Sequence, residues 1–308
     1  MSVQWYPGHM NKARKELIKK MPSVDLVIEV LDARIPYSSE NPLLGELRGD
    51  KPCIRLLNKK DLADDKRTQE WQMWLEQEAG VKTMATTIHE RSRTLAIIDL
   101  AHKMVAHKVG GDKDIEALII GIPNVGKSTI INALAQRKIA KTGNEPAVTK
   151  HQQRIRLSDD LVLFDTPGML WPKVENPDSG YRLAVTGAIR DTAIDHADIA
   201  WFAADYLLKK YPDRLKERND IMHLPETEED YLTLLAKQRG CVTSGGRVDF
   251  DRVSKVLLQE IRSGKFGGLT FETPAMAKRE EQQVLRVREQ KAAKEKARKE
   301  RFKKRSKK

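Results

Sequence analysis

The chain has 308 residues, enough for one large or two modest domains. Its 56 Lys and Arg against 44 Asp and Glu leave a net charge of +12, and residues 278–308 alone hold 15 cations and 5 anions, so the body is close to neutral. A hydrophobic fraction of 40% excludes wholesale disorder, no apolar run reaches the roughly 18 residues of a membrane span, and two cysteines, Cys53 and Cys241, exclude a four-cysteine zinc site.

In chain order, Met1 to Met10 lacks a charged-then-apolar signal pattern, and a cytoplasmic location is expected. Residues 1–20 read as an N-terminal arm carrying Trp5-Tyr6-Pro7-Gly8-His9-Met10 and then a helical stretch. Short apolar runs at Val24 to Leu31, Cys53 to Leu57, Val81 to Ala85, Ala117 to Ile120 and Leu161 to Phe164 read as buried strands. Helical patterns lie between them, at Asp65 to Ala79, Ser92 to Lys108 and Lys127 to Ala135. The alternation predicts an α/β domain over 21–176, a mostly parallel sheet with helices on both faces.

Beyond Asn176-Pro177-Asp178 the pattern turns helical: Tyr181 to Ile189, Asp195 to Lys210, Glu226 to Gln238 and Phe250 to Ile261. These predict a smaller all-helical domain over 177–274. Residues 275–308, nearly devoid of apolar side chains after Val287, read as a basic tail, disordered when free.

Gly121-Ile122-Pro123-Asn124-Val125-Gly126-Lys127-Ser128 follows a strand and opens a helix, the context of a phosphate-binding loop. Glycines let the backbone curl so that its N–H groups surround phosphate oxygens, and the helix N-terminus adds positive potential. Asn124, Val125, Gly126, Lys127, Ser128 and Thr129 are the expected nucleotide contacts, with Lys127 on the β- and γ-phosphates and Ser128 on Mg²⁺. Asp165-Thr166-Pro167-Gly168 ends the next strand: Asp165 is placed to hold Mg²⁺, and the Gly168 N–H to reach the γ-phosphate. Thr149, lying between these motifs, is the candidate second hydroxyl on Mg²⁺.

Asn58-Lys59-Lys60-Asp61 follows the strand Cys53 to Leu57. A carboxylate at Asp61 matches the two adjacent donors of guanine and would be left unpaired by adenine, which rejects the wrong base strongly. Lys59 can lay its stem along the ring, Asn58 can tie this loop to the phosphate loop, and Thr86 and Thr87 can offer N–H groups to the guanine oxygen.

These motifs resemble the guanine-nucleotide domain of GTPases in rotated order: guanine reader, its support, phosphate loop, switch threonine, then Asp-x-x-Gly. With Asp32-Ala33-Arg34-Ile35-Pro36 and the N-terminal Trp-Tyr-Pro-Gly-His-Met segment, the chain resembles the ribosome biogenesis GTPase A (YlqF-type) family of circularly permuted P-loop GTPases. The resemblance implies a bacterial GTP-hydrolysing factor for late maturation of the large ribosomal subunit, with GTP/GDP, the subunit precursor and its rRNA as partners, Mg²⁺ as cofactor, no membrane contact, and a monomer when free. It also implies a functional histidine at His9 and a K⁺ ligand at Asn124. Met169 and Leu170 stand where many GTPases carry a water-positioning Gln, so the chain is expected to be slow alone and stimulated by the ribosomal particle. Ala147 stands where a Gly often precedes the switch threonine. A permuted GTPase acting on another RNA or on the small subunit is the alternative; Cys-rich zinc relatives of that kind do not match a chain with two cysteines.

Overall fold

The computed structural model describes residues 8–111, 113–140, 153–170 and 174–305. In chain order the elements are α1 (Gly8–Lys20), β1 (Leu26–Asp32), α2 (Pro36–Ser39), α3 (Pro42–Arg48), β2 (Cys53–Asn58), α4 (Asp65–Leu75), β3 (Val81–Ala85), α5 (Arg91–Met104), β4 (Ile115–Gly121), α6 (Lys127–Leu134), β5 (Gln153–Arg156) and β6 (Leu161–Asp165). The helical part follows with α7 (Pro177–Val185), α8 (His196–Lys210), α9 (Pro212–Asn219), α10 (Glu228–Gln238), α11 (Phe250–Arg262) and α12 (Pro274–Arg305).

The strands order as β3-β2-β1-β4-β6-β5, all parallel except β5, which pairs antiparallel with β6. β1 and β2 are buried along their whole length, as central parallel strands covered on both faces must be. The register puts Asp32 beside Asn58, Val30 beside Gly121 and Ile119 beside Asp165, so the motif-bearing strand ends share one edge. In open α/β sheets ligands bind at that carboxyl edge.

Helix α1 packs Met10, Ala13 and Leu17, spaced as one helical face, against the body. Lys20 closes it with a 2.6 Å ion pair to Glu116. The expected arm is therefore anchored helix from Gly8 onward. In the helical part, α8 offers Ala200, Ala203 and Ala204, whose small side chains admit close approach of Val253, Leu257 and Ile261 of α11. Asp195, Thr227 and Asp249 cap α8, α10 and α11.

Three departures from the sequence reading have local causes. Helix α7 begins at Pro177, four residues early, because Asn176 caps it through the Asp178 N–H; it ends before Gly187, whose φ of +80° stops the helix. Residues 263–277 run back to the loops that leave β1 and β2 and to α4: Leu269 N–H donates to the Leu62 carbonyl, Phe271 N–H to that of Arg34, and Trp71 Nε1 to that of Glu272. Finally, the basic tail forms helix α12 as far as Arg305, starting inside the span assigned to the helical domain, its base fixed by buried Ala277 and by an Arg182–Glu280 pair at 2.6 Å.

Candidate nucleotide site

The phosphate loop leaves β4 at Gly121 and enters α6 at Lys127. Asn124 and Gly126 adopt positive φ, +57° and +97°, which turns the intervening backbone inward. Glycine is required at 126 for a second reason: a β-carbon there would stand 2.3 Å from Asn58 Nδ2. That amide donates to the Val125 carbonyl at 2.8 Å, and Asn58 Oδ1 accepts from the Thr86 hydroxyl at 3.1 Å. One buried side chain thus ties the guanine loop to both the phosphate loop and the following strand end. Thr86 is locked further, donating its N–H to Leu57 and accepting from Lys60 N–H.

On the other side, Thr166 Oγ1 donates to the Ile119 carbonyl at 2.8 Å and Met169 N–H to that of Gly121 at 3.2 Å. Gly168 presses against the loop: a β-carbon would lie 3.0 Å from Pro123 Cα and 3.3 Å from Lys127 Nζ. Lys127 is buried, which lowers its pKa against the pull of Asp165. Asp165 is wholly buried, and neither carboxylate oxygen has a hydrogen-bond partner among the described residues. Burial pushes its carboxyl up to about 6, with Lys127 opposing.

An orphaned buried carboxylate at a strand end, within the pull of Lys127 at the start of α6, fits Mg²⁺; Ser128, the second residue of α6, is the hydroxyl expected to join it. Among the described residues no three His, Cys, Asp or Glu side chains cluster as a metal cage, so the ion's other oxygens would come from phosphate and water.

The guanine reader splits by environment. Asn58 is buried, while Asp61 is exposed in a short 3-10 turn at Lys60–Leu62, open to accept from a base. Lys60 pairs with Glu90 at 2.9 Å. Thr87 is buried beside Asn58 and Thr129 in a crevice closed by Arg91 and Ile130. Met169 and Leu170 are buried, so neither orients water, in line with their apolar chemistry. Thr149 and Ala147 lie outside the described residues, as does the side chain of His9, whose backbone belongs to the first turn of α1.

A family model described as "50S ribosome-binding GTPase" matches residues 116–237. It begins at the phosphate-loop half and omits the guanine-reading half, as a rotated motif order requires. "Ribosome biogenesis GTPase A" of Bacillus pumilus is 44% identical over 281 residues, 89% of this chain and 99% of that protein. The chain belongs to the ribosome biogenesis GTPase A family. Its fold is likewise similar to that of YlqF, a member of the same circularly permuted GTPase architecture. The GDP-bound structure of TM YlqF covers 84% of this chain with a TM-score of 0.61 at 27% identity. The GNP-bound YlqF of T. maritima covers 85% with a TM-score of 0.59, also at 27% identity.

Within this GTPase site, sequence reasoning assigned no role to Asp32 and Arg34, which the structure brings to the guanine reader. Lys59, at φ +61°, places Nζ 3.0 Å from Asp32 Oδ2. Asp32 also accepts from Arg34 Nε at 2.9 Å and Nη2 at 2.7 Å. Burial opposes the charge on Asp32, but Arg34 and Lys59 together hold its carboxyl well below the usual range. The available signal was an Asp at the C-terminal end of a buried strand, the position Asp165 also holds. Asn124 Nδ2 donates to the Gly187 carbonyl at 2.9 Å, joining the phosphate loop to the end of α7.

Proposed function

We propose that this GTPase acts in late maturation of the bacterial large ribosomal subunit, binding the precursor and its rRNA in a nucleotide-dependent way. The observation that carries the nucleotide chemistry is the Asn58–Val125 hydrogen bond, which closes a guanine reader onto a phosphate loop. In this reading Asp61 accepts from guanine N1 and the 2-amino group, and Thr87 faces its oxygen; the Thr86 N–H, expected there too, is instead committed to the Leu57 carbonyl within the sheet. Lys127 and the N–H groups of Asn124 to Thr129 neutralise and orient the phosphates, and Gly168 meets the γ-phosphate. Asp165, Ser128 and Thr149 would hold Mg²⁺, which supplies charge neutralisation on the β- and γ-oxygens. A K⁺ would be held at Asn124, whose side-chain nitrogen donates to the Gly187 carbonyl.

With Met169 and Leu170 buried, hydrolysis is slow alone and needs help from the ribosomal particle. His9, at the start of α1, supplies it by orienting water or stabilising charge. Ala13 and Leu17 of α1 share one buried cluster with Met169, which supports a link between this helix and the Asp-x-x-Gly segment. The basic end of α12 meets rRNA phosphates. The free protein is a cytoplasmic monomer, with units at 1–20, 21–176, 177–274 and 275–308. Sucrose-gradient profiles of depleted cells test this reading: large-subunit precursors accumulate. Accumulation of small-subunit precursors instead would favour a permuted GTPase of the other subunit.

A further inference from the structure

We propose that Asp32 is the positioning residue for the guanine-reading lysine Lys59, and that Arg34 holds Asp32 in place for that task. The inference rests on the reading that Lys59 lies along the guanine ring.

The geometry supplies each link. Asp32 ends β1, the strand between β2, which carries the guanine reader, and β4, which carries the phosphate loop. It pairs across the sheet with Asn58, the residue before Lys59. Its two oxygens divide the work. Oδ1 accepts from the Arg34 backbone N–H at 3.1 Å and from Nε at 2.9 Å; Oδ2 accepts from Arg34 Nη2 at 2.7 Å and from Lys59 Nζ at 3.0 Å. A two-pronged Arg–carboxylate pair fixes orientation as well as charge. Asp32 and Arg34 are each 2% exposed, so the pair does not wander.

The backbone of Asp32 and both ends of Arg34 are held from further directions. The Ser39 hydroxyl accepts from the Asp32 N–H at 3.0 Å, Arg34 Nη2 reaches the Thr186 carbonyl at 3.3 Å, and the Arg34 carbonyl accepts from Phe271 N–H. A lysine side chain has four rotatable bonds, and ordering it costs conformational entropy. In the left-handed backbone at Lys59, a fixed anion at the far end of the stem bears that cost before nucleotide arrives. The stem is then laid out in one direction when the base enters, which raises affinity by preorganisation.

The test measures equilibrium binding of fluorescent GDP and GTP to the full chain. Asp32→Asn keeps the shape but removes the anion; it is expected to weaken both nucleotides alike, by about tenfold or more, the scale of a lost charge-assisted hydrogen bond. Lys59→Met is expected to weaken them at least as much. In the Lys59→Met background, Asp32→Asn should then add less than about twofold, because two residues acting as one unit are not additive. The preference for GDP over IDP, set by Asp61, should survive Asp32→Asn; general collapse of the loop would erase it. Asp32→Glu, which retains the charge facing Arg34, covers the case in which the Asn variant does not fold: a loss of a few-fold, again only when Lys59 is present. Additive losses, or an Asp32→Asn variant that binds as wild type does, overturn the proposal and leave the guanine site standing. An unaffected Lys59→Met variant would overturn the reading of the guanine site itself.

Discussion

Gly126→Ala is the most incisive perturbation of the site. The residue sits at φ +97°, where an L side chain costs about 1–2 kcal/mol. Its new β-carbon would stand 2.3 Å from Asn58 Nδ2, so Asn58 must move. Moving it breaks the 2.8 Å bond to the Val125 carbonyl and strands a buried acceptor, at about 1–3 kcal/mol. The expected loss is about 2–5 kcal/mol, a large share of the stability of a domain. Urea unfolding of the nucleotide-free protein reads it directly, and GDP affinity should fall in the same variant because the guanine and phosphate loops part. A variant as stable as wild type with unchanged GDP affinity would refute the claim that Asn58 staples the two loops.

Three further outcomes follow from the same structure. Gly45→Ala in α3 serves as the control: among the described residues nothing beyond its own helical backbone would meet its β-carbon within 4 Å, so stability should rise by about 0.5–1 kcal/mol in the same unfolding assay. The Asp165 carboxyl is raised in the folded protein from 3.8 to about 6, so the folded state holds its proton longer than the unfolded state. That contribution is therefore complete below about pH 4 and lost as pH rises through 6, by up to about 3 kcal/mol; Asp165→Asn should flatten this part of the stability–pH curve, and parallel curves would contradict it. Deleting residues 292–308 removes most of the cationic end and spares the Arg288–Glu175 pair at 2.5 Å and the Arg182–Glu280 pair; the salt slope of RNA binding should flatten while thermal stability and GTP affinity hold.

The parallel sheet was legible because its strands are continuous apolar runs ended by motif residues. Strand β5 was not: of Gln153 to Arg156 only Ile155 is buried, and one apolar residue in four makes no run. Helix α9 was hidden by Pro212, which reads as a break after α8 but occupies the first helical turn, where its missing N–H costs nothing. Helix α3 carried its signal in Asn41-Pro42, a cap followed by proline, in a stretch too short for periodicity. In the site, phosphate-loop and guanine residues follow from local spacing. The Asp32–Lys59 pair does not, because 27 residues and a strand crossover separate them and only the parallel register brings them together. The same limit hid the Gly187 contact of Asn124, which depends on the way α7 docks.

Single-turnover GTP hydrolysis, measured with the protein alone, with large-subunit particles and with small-subunit particles, tests the central claim most directly. The account predicts slow hydrolysis alone, acceleration of one or more orders of magnitude by large-subunit particles, and loss of that acceleration in His9→Ala with GTP affinity retained. Equal rates with both particles, or a protein fully active by itself, would contradict it.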